Sequence, residues 1–537
     1  MINKKVYGLI FTLFCGVFTS CSVSNMHTIE ITENERVWAG IISDGHLMPF
    51  DASYQFDMYG NNRSNQVQPL ILTSNGQYVW SEEPFRFEIT NNRIVVYDDY
   101  NSVKSGKPGN SLAEVQRYVR EQFFPASGKI PDEMLFTKPQ YNTWIELTYN
   151  QNQEDVLEYA RSIIANDFPV GVIMIDDTWQ EDYGLWNFHP GRFPNPGQMM
   201  DELHEMGFKV MLWICPFVSA DQYLVYNELR EKKALLLEKQ SAEDTWETAT
   251  EPAIIRWWNG ASAVLDFTNP EAVNWFDEQL QTLVEDYKVD GFKFDAGDFI
   301  FYPSAAISMS SVTPNEHSRL FNEFGLKYPL NEFRASWKMA GEPLAQRLWD
   351  KAHDWEDVKK LIPQMVLTNL MGYTFSCPDM IGGGSFTTFL NEDDIDQELI
   401  VRSAQIHALM PMMQFSVAPW RILSSDNLAA VKKAVALREE YIPLIMRLVG
   451  ESSQTNEPII KSMEYVFPHQ NLVDINDQFM LGDSVMIAPV VDSGMLKREV
   501  RLPDGRWKAD DGIIYQGNQK IFIEVPIDRL PVFKRMN

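Results

Sequence analysis

At 537 residues the chain exceeds one ordinary core and suits two or three domains, one of them large enough for an α/β barrel. Hydrophobic residues at 45% and charged residues at 22% exclude a disordered or low-complexity protein, and no repeat period is visible. A formal charge of −28 repels phosphate backbones and anionic headgroups, so nucleic acid is excluded as an expected partner. The 15 Trp, 20 Tyr and 32 Phe offer the flat faces on which neutral sugars stack, although core filling accounts for most of them.

Residues 1–21 read as an export signal: Lys4 and Lys5, an apolar run from Tyr7 to Phe18 too short to span a bilayer, then Thr19-Ser20-Cys21. Small residues before a cysteine resemble the lipobox of bacterial lipoproteins, although Phe18 stands where Leu is usual. The expectation is an exported, periplasmic protein of a Gram-negative bacterium, lipid-anchored through Cys21, with no other membrane contact. Ordinary signal cleavage with Cys21 incidental is the alternative. Beyond the leader only Cys215 and Cys377 remain, both in apolar runs, which excludes a disulfide framework. No Cys/His cluster has metal-ligand spacing, so neither a metal nor a cofactor is expected.

Over residues 22–135 short alternating strands dominate, such as Arg86–Ile89 and Arg93–Tyr97 on either side of Asn91-Asn92, and predict a β-sandwich. Over 136–435 apolar strands alternate with amphipathic helices, which predicts a (β/α)8 TIM barrel. Its strands are placed at 144–147, 171–175, 209–214, 291–294, 333–336, 346–349, 373–376 and 412–415. One helix opens at Asn269-Pro270, Asn as cap and Pro at the first turn, and buries Trp275, Phe276, Leu280, Leu283, Val284 and Tyr287. Strands return over 436–537 and predict a C-terminal β-sandwich domain, with a turn at Pro503-Asp504-Gly505.

Barrel side chains at the C-terminal strand ends share one pocket, and several expected strands end in acids: Asp176-Asp177, Asp295, Asp350 and, after the seventh, Asp379. A lone Asp there is more often a helix cap or loop ion pair. Four such ends, without metal spacing or a phosphate-cradling loop, suit glycosidic cleavage, in which one carboxylate attacks the sugar and a second carboxyl protonates the leaving oxygen. Lys293, two residues before Asp295 on the same strand face, would keep Asp295 ionised. Partial burial behind Leu348-Trp349 would raise Asp350 toward a general acid.

The stretch Lys293-Phe294-Asp295-Ala296-Gly297-Asp298 resembles the nucleophile strand of glycoside hydrolase family 31, with Asp298 where Glu is commoner. Ile175-Asp176-Asp177-Thr178-Trp179, Trp213-Ile214-Cys215-Pro216 and Phe479–Val490 resemble further family segments. Arg256–Gly260, Ala263–Thr268, Pro378–Gly383 and Met412–Ser416 are closer to one branch, the α-galactosidase-like branch of the myogenesis-regulating glycosidase. The resemblance runs from about 140 to 500.

It implies Asp295 as nucleophile, Arg334 as the arginine on a sugar hydroxyl, and Asp350 as acid/base. Asp354 is the rival, but Trp355-Glu356-Asp357-Val358-Lys359 matches the family text without a gap and favours Asp350, leaving Asp354 as a helix cap. Asp176 and Asp177 would grip far ring hydroxyls, with Trp213, Trp258, Asn259, Lys293 and Asp379 as substrate-binding or supporting residues; for each Trp, core packing is an equal reading. Pro378 replaces the family's usual His, which turns the sugar preference toward galactose. The expected activity is retaining hydrolysis of terminal α-linked sugars from an oligosaccharide or α-glycoside, with the two carboxyls about 5 Å apart. α-Glucosides, α-xylosides, N-acetylated α-galactosides, transglycosylation and a non-catalytic glycan-binding lipoprotein are the alternatives.

Overall fold

The computed structural model describes residues 25–50, 53–90, 92–391 and 395–536. The expected leader and Cys21 lie outside them. Eight parallel strands follow one another around a barrel in strict chain order: β1 (Gln140–Asn142), β2 (Val172–Ile175), β3 (Lys209–Ile214), β4 (Gly291–Phe294), β5 (Leu330–Phe333), β6 (Gln346–Arg347), β7 (Ser376–Cys377) and β8 (Gln414–Phe415). β8 pairs back onto β1, and a bridge between Met380 and Gln414 joins it to the chain leaving β7. The (β/α)8 TIM barrel is therefore nearly closed.

Each crossover helix starts where a side chain satisfies its first amides. Asn152 caps α1 (Gln153–Ala165), Asn269 caps α3 (Pro270–Tyr287), Thr313 caps α4 (Pro314–Gly325), Asp354 caps α5 (Trp355–Leu370), Asp396 caps α6 (Gln397–Ala408) and Ser424 caps α7 (Ser425–Thr455). α2 (Pro196–Glu205) begins on proline instead. In α3, Trp275, Phe276, Leu280 and Leu283 of the expected face are buried, while Val284 and Tyr287 are only partly so.

Two strand assignments need correction. Trp144–Leu147 is a helical turn, because the Asn142 side chain accepts the Trp144 amide at 2.8 Å and ends the strand there. The fifth strand stops at Phe333; Ser336–Trp337 leaves the barrel to pair in parallel with Gln66–Thr73 of the N-terminal region. The last three barrel strands pair over two residues each, near the predicted positions.

The N-terminal region holds an antiparallel four-stranded sheet, including the expected hairpin Arg86–Thr90/Arg93–Asp98, and a second sheet built on Gln66–Thr73. Helix α7 runs through residue 436, where the last domain was expected to begin, and the C-terminal sheet starts at Ile460. Six- and two-stranded sheets there enclose a core of their own around Met480, Val500, Trp507 and Phe533.

Candidate active site

A cavity of about 330 Å³ opens at the C-terminal ends of the barrel strands. It gathers Asp176, Asp177, Trp213, Trp258, Lys293, Asp295, Arg334 and Asp350, eight of the residues singled out in the sequence. Asn259 and Asp379 lie outside its lining.

Asp295 follows β4 and is 7% exposed. Its Oδ1 accepts hydrogen bonds from Arg334 Nε at 2.7 Å and the Ala296 amide at 2.8 Å, and its Oδ2 accepts one from Trp213 Nε1 at 2.9 Å. Burial alone would favour the neutral acid, but the Arg334 and Lys293 cations outweigh it and hold the carboxyl well below the usual range. Arg334 also donates from Nη2 to Asp298 Oδ2 at 2.5 Å and from Nη1 to the Ser64 carbonyl at 3.3 Å, and lies 5.4 Å from the ring centre of the half-exposed Trp258. Ser64 and its neighbour Arg63 adopt left-handed backbone (φ 63° and 45°), so a strained turn of the N-terminal region reaches the cavity.

Across the cavity, Lys293 Nζ donates to Asp176 Oδ2 at 2.6 Å, a buried ion pair. The next carboxylate, Asp177, accepts from Tyr183 OH at 3.0 Å and from Asn259 Nδ2 at 2.6 Å. Burial and then the adjacent Asp176 push its pKa up to about 7, against the donors that favour its ionised form. Asn259 thus acts from behind, holding Asp177.

Asp350 departs from expectation: its side chain is 39% exposed, and Oδ1 accepts from Arg347 Nη1 at 2.7 Å. It lines the cavity from the loop three residues beyond the end of β6. Asp379, expected to bind substrate, does not line the cavity. It is fully buried, Arg347 and the amides of Lys351 and Gly384 occupy its oxygens, and burial pushes its pKa up, so it stands behind the lining residue Gly384. Asp354 accepts the Asp357 amide at 2.8 Å, the cap geometry.

Several lining residues escaped the sequence reading. Trp144, Tyr149 and Phe386 pack edge to face at 5.3 to 5.8 Å and form an aromatic side wall. Had β1 been set to end at Asn142, the strand-end rule would have drawn attention to Trp144 and Tyr149. Ser64, which also lines the cavity, and Tyr183 and Arg347, which hold Asp177 and Asp350 from outside it, had no local signal. Among the described residues no group of three or more His, Cys, Asp or Glu could hold a metal ion.

Comparison with known proteins agrees with this architecture. Residues 135–448 match the family model for the TIM-barrel domain of glycosyl hydrolases family 31, and residues 456–537 match that family's C-terminal domain. The chain is 32% identical to the mouse (Mus musculus) myogenesis-regulating glycosidase over 78% of its own length and 59% of that protein. It is 25% identical to α-glucosidase 2 of Bacillus thermoamyloliquefaciens, over 77% of this chain and 54% of that one. It thus spans little more than half the length of these relatives. A family 31 dextranase of Flavobacterium johnsoniae complexed with glucose superposes with a TM-score of 0.82 over 95% of this chain and 66% of the other, at 18% identity. With two family domains matched over most of its length, the chain belongs to glycoside hydrolase family 31.

Proposed function

We propose that this glycosidase is a retaining exo-acting α-glycoside hydrolase that removes terminal α-linked sugars, galactose before others, by double displacement. The observation that carries the reading is the contrast between the two acids. Asp295 is buried yet kept ionised by Arg334 and Lys293, as a nucleophile requires, whereas Asp350 stands half-open at the mouth, where a leaving group and then water pass. Asp295 attacks the anomeric carbon as Asp350 protonates the departing oxygen; Asp350 then takes a proton from water, whose oxygen displaces Asp295.

Asp176 and Asp177 supply acceptors for ring hydroxyls, and an acceptor pair discriminates strongly between epimers. The galactose preference rests on Pro378 before Asp379 and on the likeness to the mouse glycosidase branch. Relatives named as α-glucosidase and α-xylosidase make glucose and xylose the competing sugars. Parallel assays with 4-nitrophenyl α-galactoside, α-glucoside, α-xyloside and α-N-acetylgalactosaminide test this. Galactoside turnover abolished by Asp295→Asn is expected; a faster glucoside or xyloside, or turnover that survives Asp295→Asn, contradicts it. Anchoring through Cys21 is part of the same proposal, and palmitate incorporation that persists in Cys21→Ser would remove it.

A further inference from the structure

Arg347 lies on β6, 1% exposed, and does not line the cavity. Its Nη1 nevertheless donates to Asp350 Oδ1 at 2.7 Å, to Asp379 Oδ1 at 2.9 Å and to the Leu348 carbonyl at 3.0 Å, while Nε donates to Glu332 Oε1 at 3.1 Å. Each anchor is itself held. Glu332, on β5, accepts from Gln414 Nε2 on β8 at 2.6 Å through its other oxygen. Asp379, after β7, accepts the Lys351 and Gly384 amides at 2.7 and 3.1 Å through its other oxygen. The side chains of Glu332 and Asp379 and the Leu348 carbonyl thus fix one guanidinium, and the guanidinium fixes one oxygen of Asp350.

The other oxygen, Oδ2, accepts no hydrogen bond among the described residues, and the side chain that carries it is 39% exposed. An acid/base group works only within hydrogen-bond reach and along a defined line to the oxygen it protonates. A carboxyl free to rotate would present either oxygen, and an oxygen already bound by an arginine N–H is the poorer seat for a proton. Support of a buried guanidinium by Glu332, Asp379 and the Leu348 carbonyl exceeds what an ordinary surface ion pair supplies.

We propose that Arg347 is a positioning residue for proton transfer: by binding Oδ1 of Asp350 it directs Oδ2 at the glycosidic oxygen. The inference rests on the reading of Asp350 as acid/base. In the first step the Oδ2–H bond breaks and its proton goes to the leaving oxygen as the C–O bond cleaves and Asp295 bonds to the anomeric carbon. In the second, water gives Oδ2 a proton as its oxygen replaces Asp295.

The test compares kcat/KM for the glycosyl fluoride, whose leaving group needs no proton, and the phenyl α-glycoside, whose leaving group does, with the sugar identified by the aryl assay. Arg347→Lys keeps the charge and loses the fork. It is expected to lower the phenyl substrate by about 10²-fold, within the range general acids contribute, and the fluoride by less than about 3-fold. Equal losses on both substrates mark a merely structural arginine and overturn the proposal, as does no loss on either. Arg347→Gln leaves Glu332 and Asp379 without their cation; should it not fold, Asp379→Asn, which removes one anchor of Nη1, is expected to repeat the Arg347→Lys pattern in weaker form. Asp350→Ala is the reference. If it loses the fluoride as strongly as the phenyl glycoside, Asp350 is not the acid/base group, and the failure lies in that assignment and not in Arg347.

Discussion

Removing the Tyr183 hydroxyl should move the pH at which the cavity begins to bind sugar. Tyr183 OH lies 3.0 and 3.2 Å from the two oxygens of Asp177 and stabilises their charged form. Asp177 titrates at about 7, raised by burial and by Asp176, so near neutrality it is poised between acid and carboxylate. A hydrogen bond to a charged group contributes about 1.5–3 kcal/mol, and one pKa unit corresponds to about 1.4 kcal/mol. Tyr183→Phe, which keeps the ring packed edge to face on Trp257 at 4.7 Å, should therefore raise the Asp177 pKa by about one to two units.

Calorimetric titration of a neutral monosaccharide avoids any contribution from the chemical step. Wild-type affinity should rise as pH increases through about 7, because the carboxylate is the stronger hydroxyl acceptor. In Tyr183→Phe the same rise should be displaced upward, with affinity lost near neutral pH and recovered at more alkaline pH. The sign for stability agrees. A carboxyl raised in the folded state favours folding at low pH, and that contribution is lost as pH rises through about 7. An inflection that stays in place, or moves to lower pH, would refute the assignment of Asp177 as a charged sugar acceptor.

Asp354→Ala removes the cap of α5 and should cost about 1 kcal/mol of stability, measured by urea denaturation, with activity close to wild type. A variant inactive on every glycoside would instead restore Asp354 as the acid. Arg334→Met leaves Asp295 and Asp298 buried without their cation, and should destabilise the fold by about 3–5 kcal/mol by the same measurement while abolishing turnover. A loss below about 1 kcal/mol would mean that the pair is already well hydrated.

The sequence carried the barrel where physics is local. β2 and β4 are short, mainly apolar strands that run straight into Asp176 and Asp295, β3 is five apolar residues behind Lys209, and α3 announces itself by Asn269, Pro270 and a regular buried face. It misled where patterns coincide: Trp144-Ile145-Glu146-Leu147 is a short apolar run of strand length, yet Asn142 turns the chain first. Short strands of two paired residues, such as Gln346–Arg347, leave too little periodicity to place their ends. In the site, Asp176, Asp177, Asp295 and Asp350 were legible as strand-end acids, Lys293 as the neighbour of Asp295 on its strand face and Arg334 through the family resemblance, and all six share one cavity. Asp379 shared that signature, but its three donors are set by tertiary packing. Ser64 was invisible for the same reason, since only the folded chain brings it to Arg334.

The central claim, that Asp295 forms a covalent bond to the sugar, is tested most directly by trapping. A 5-fluoro glycosyl fluoride of the preferred sugar slows both steps through the electron demand of an oxocarbenium-like centre and lets the ester accumulate. After quenching and proteolysis, mass spectrometry should find the added glycosyl mass on the peptide containing Lys293-Phe294-Asp295-Ala296, and on the Asp295 side chain within it. An adduct on any other residue, or turnover of the reagent with inversion and no adduct, would contradict the account.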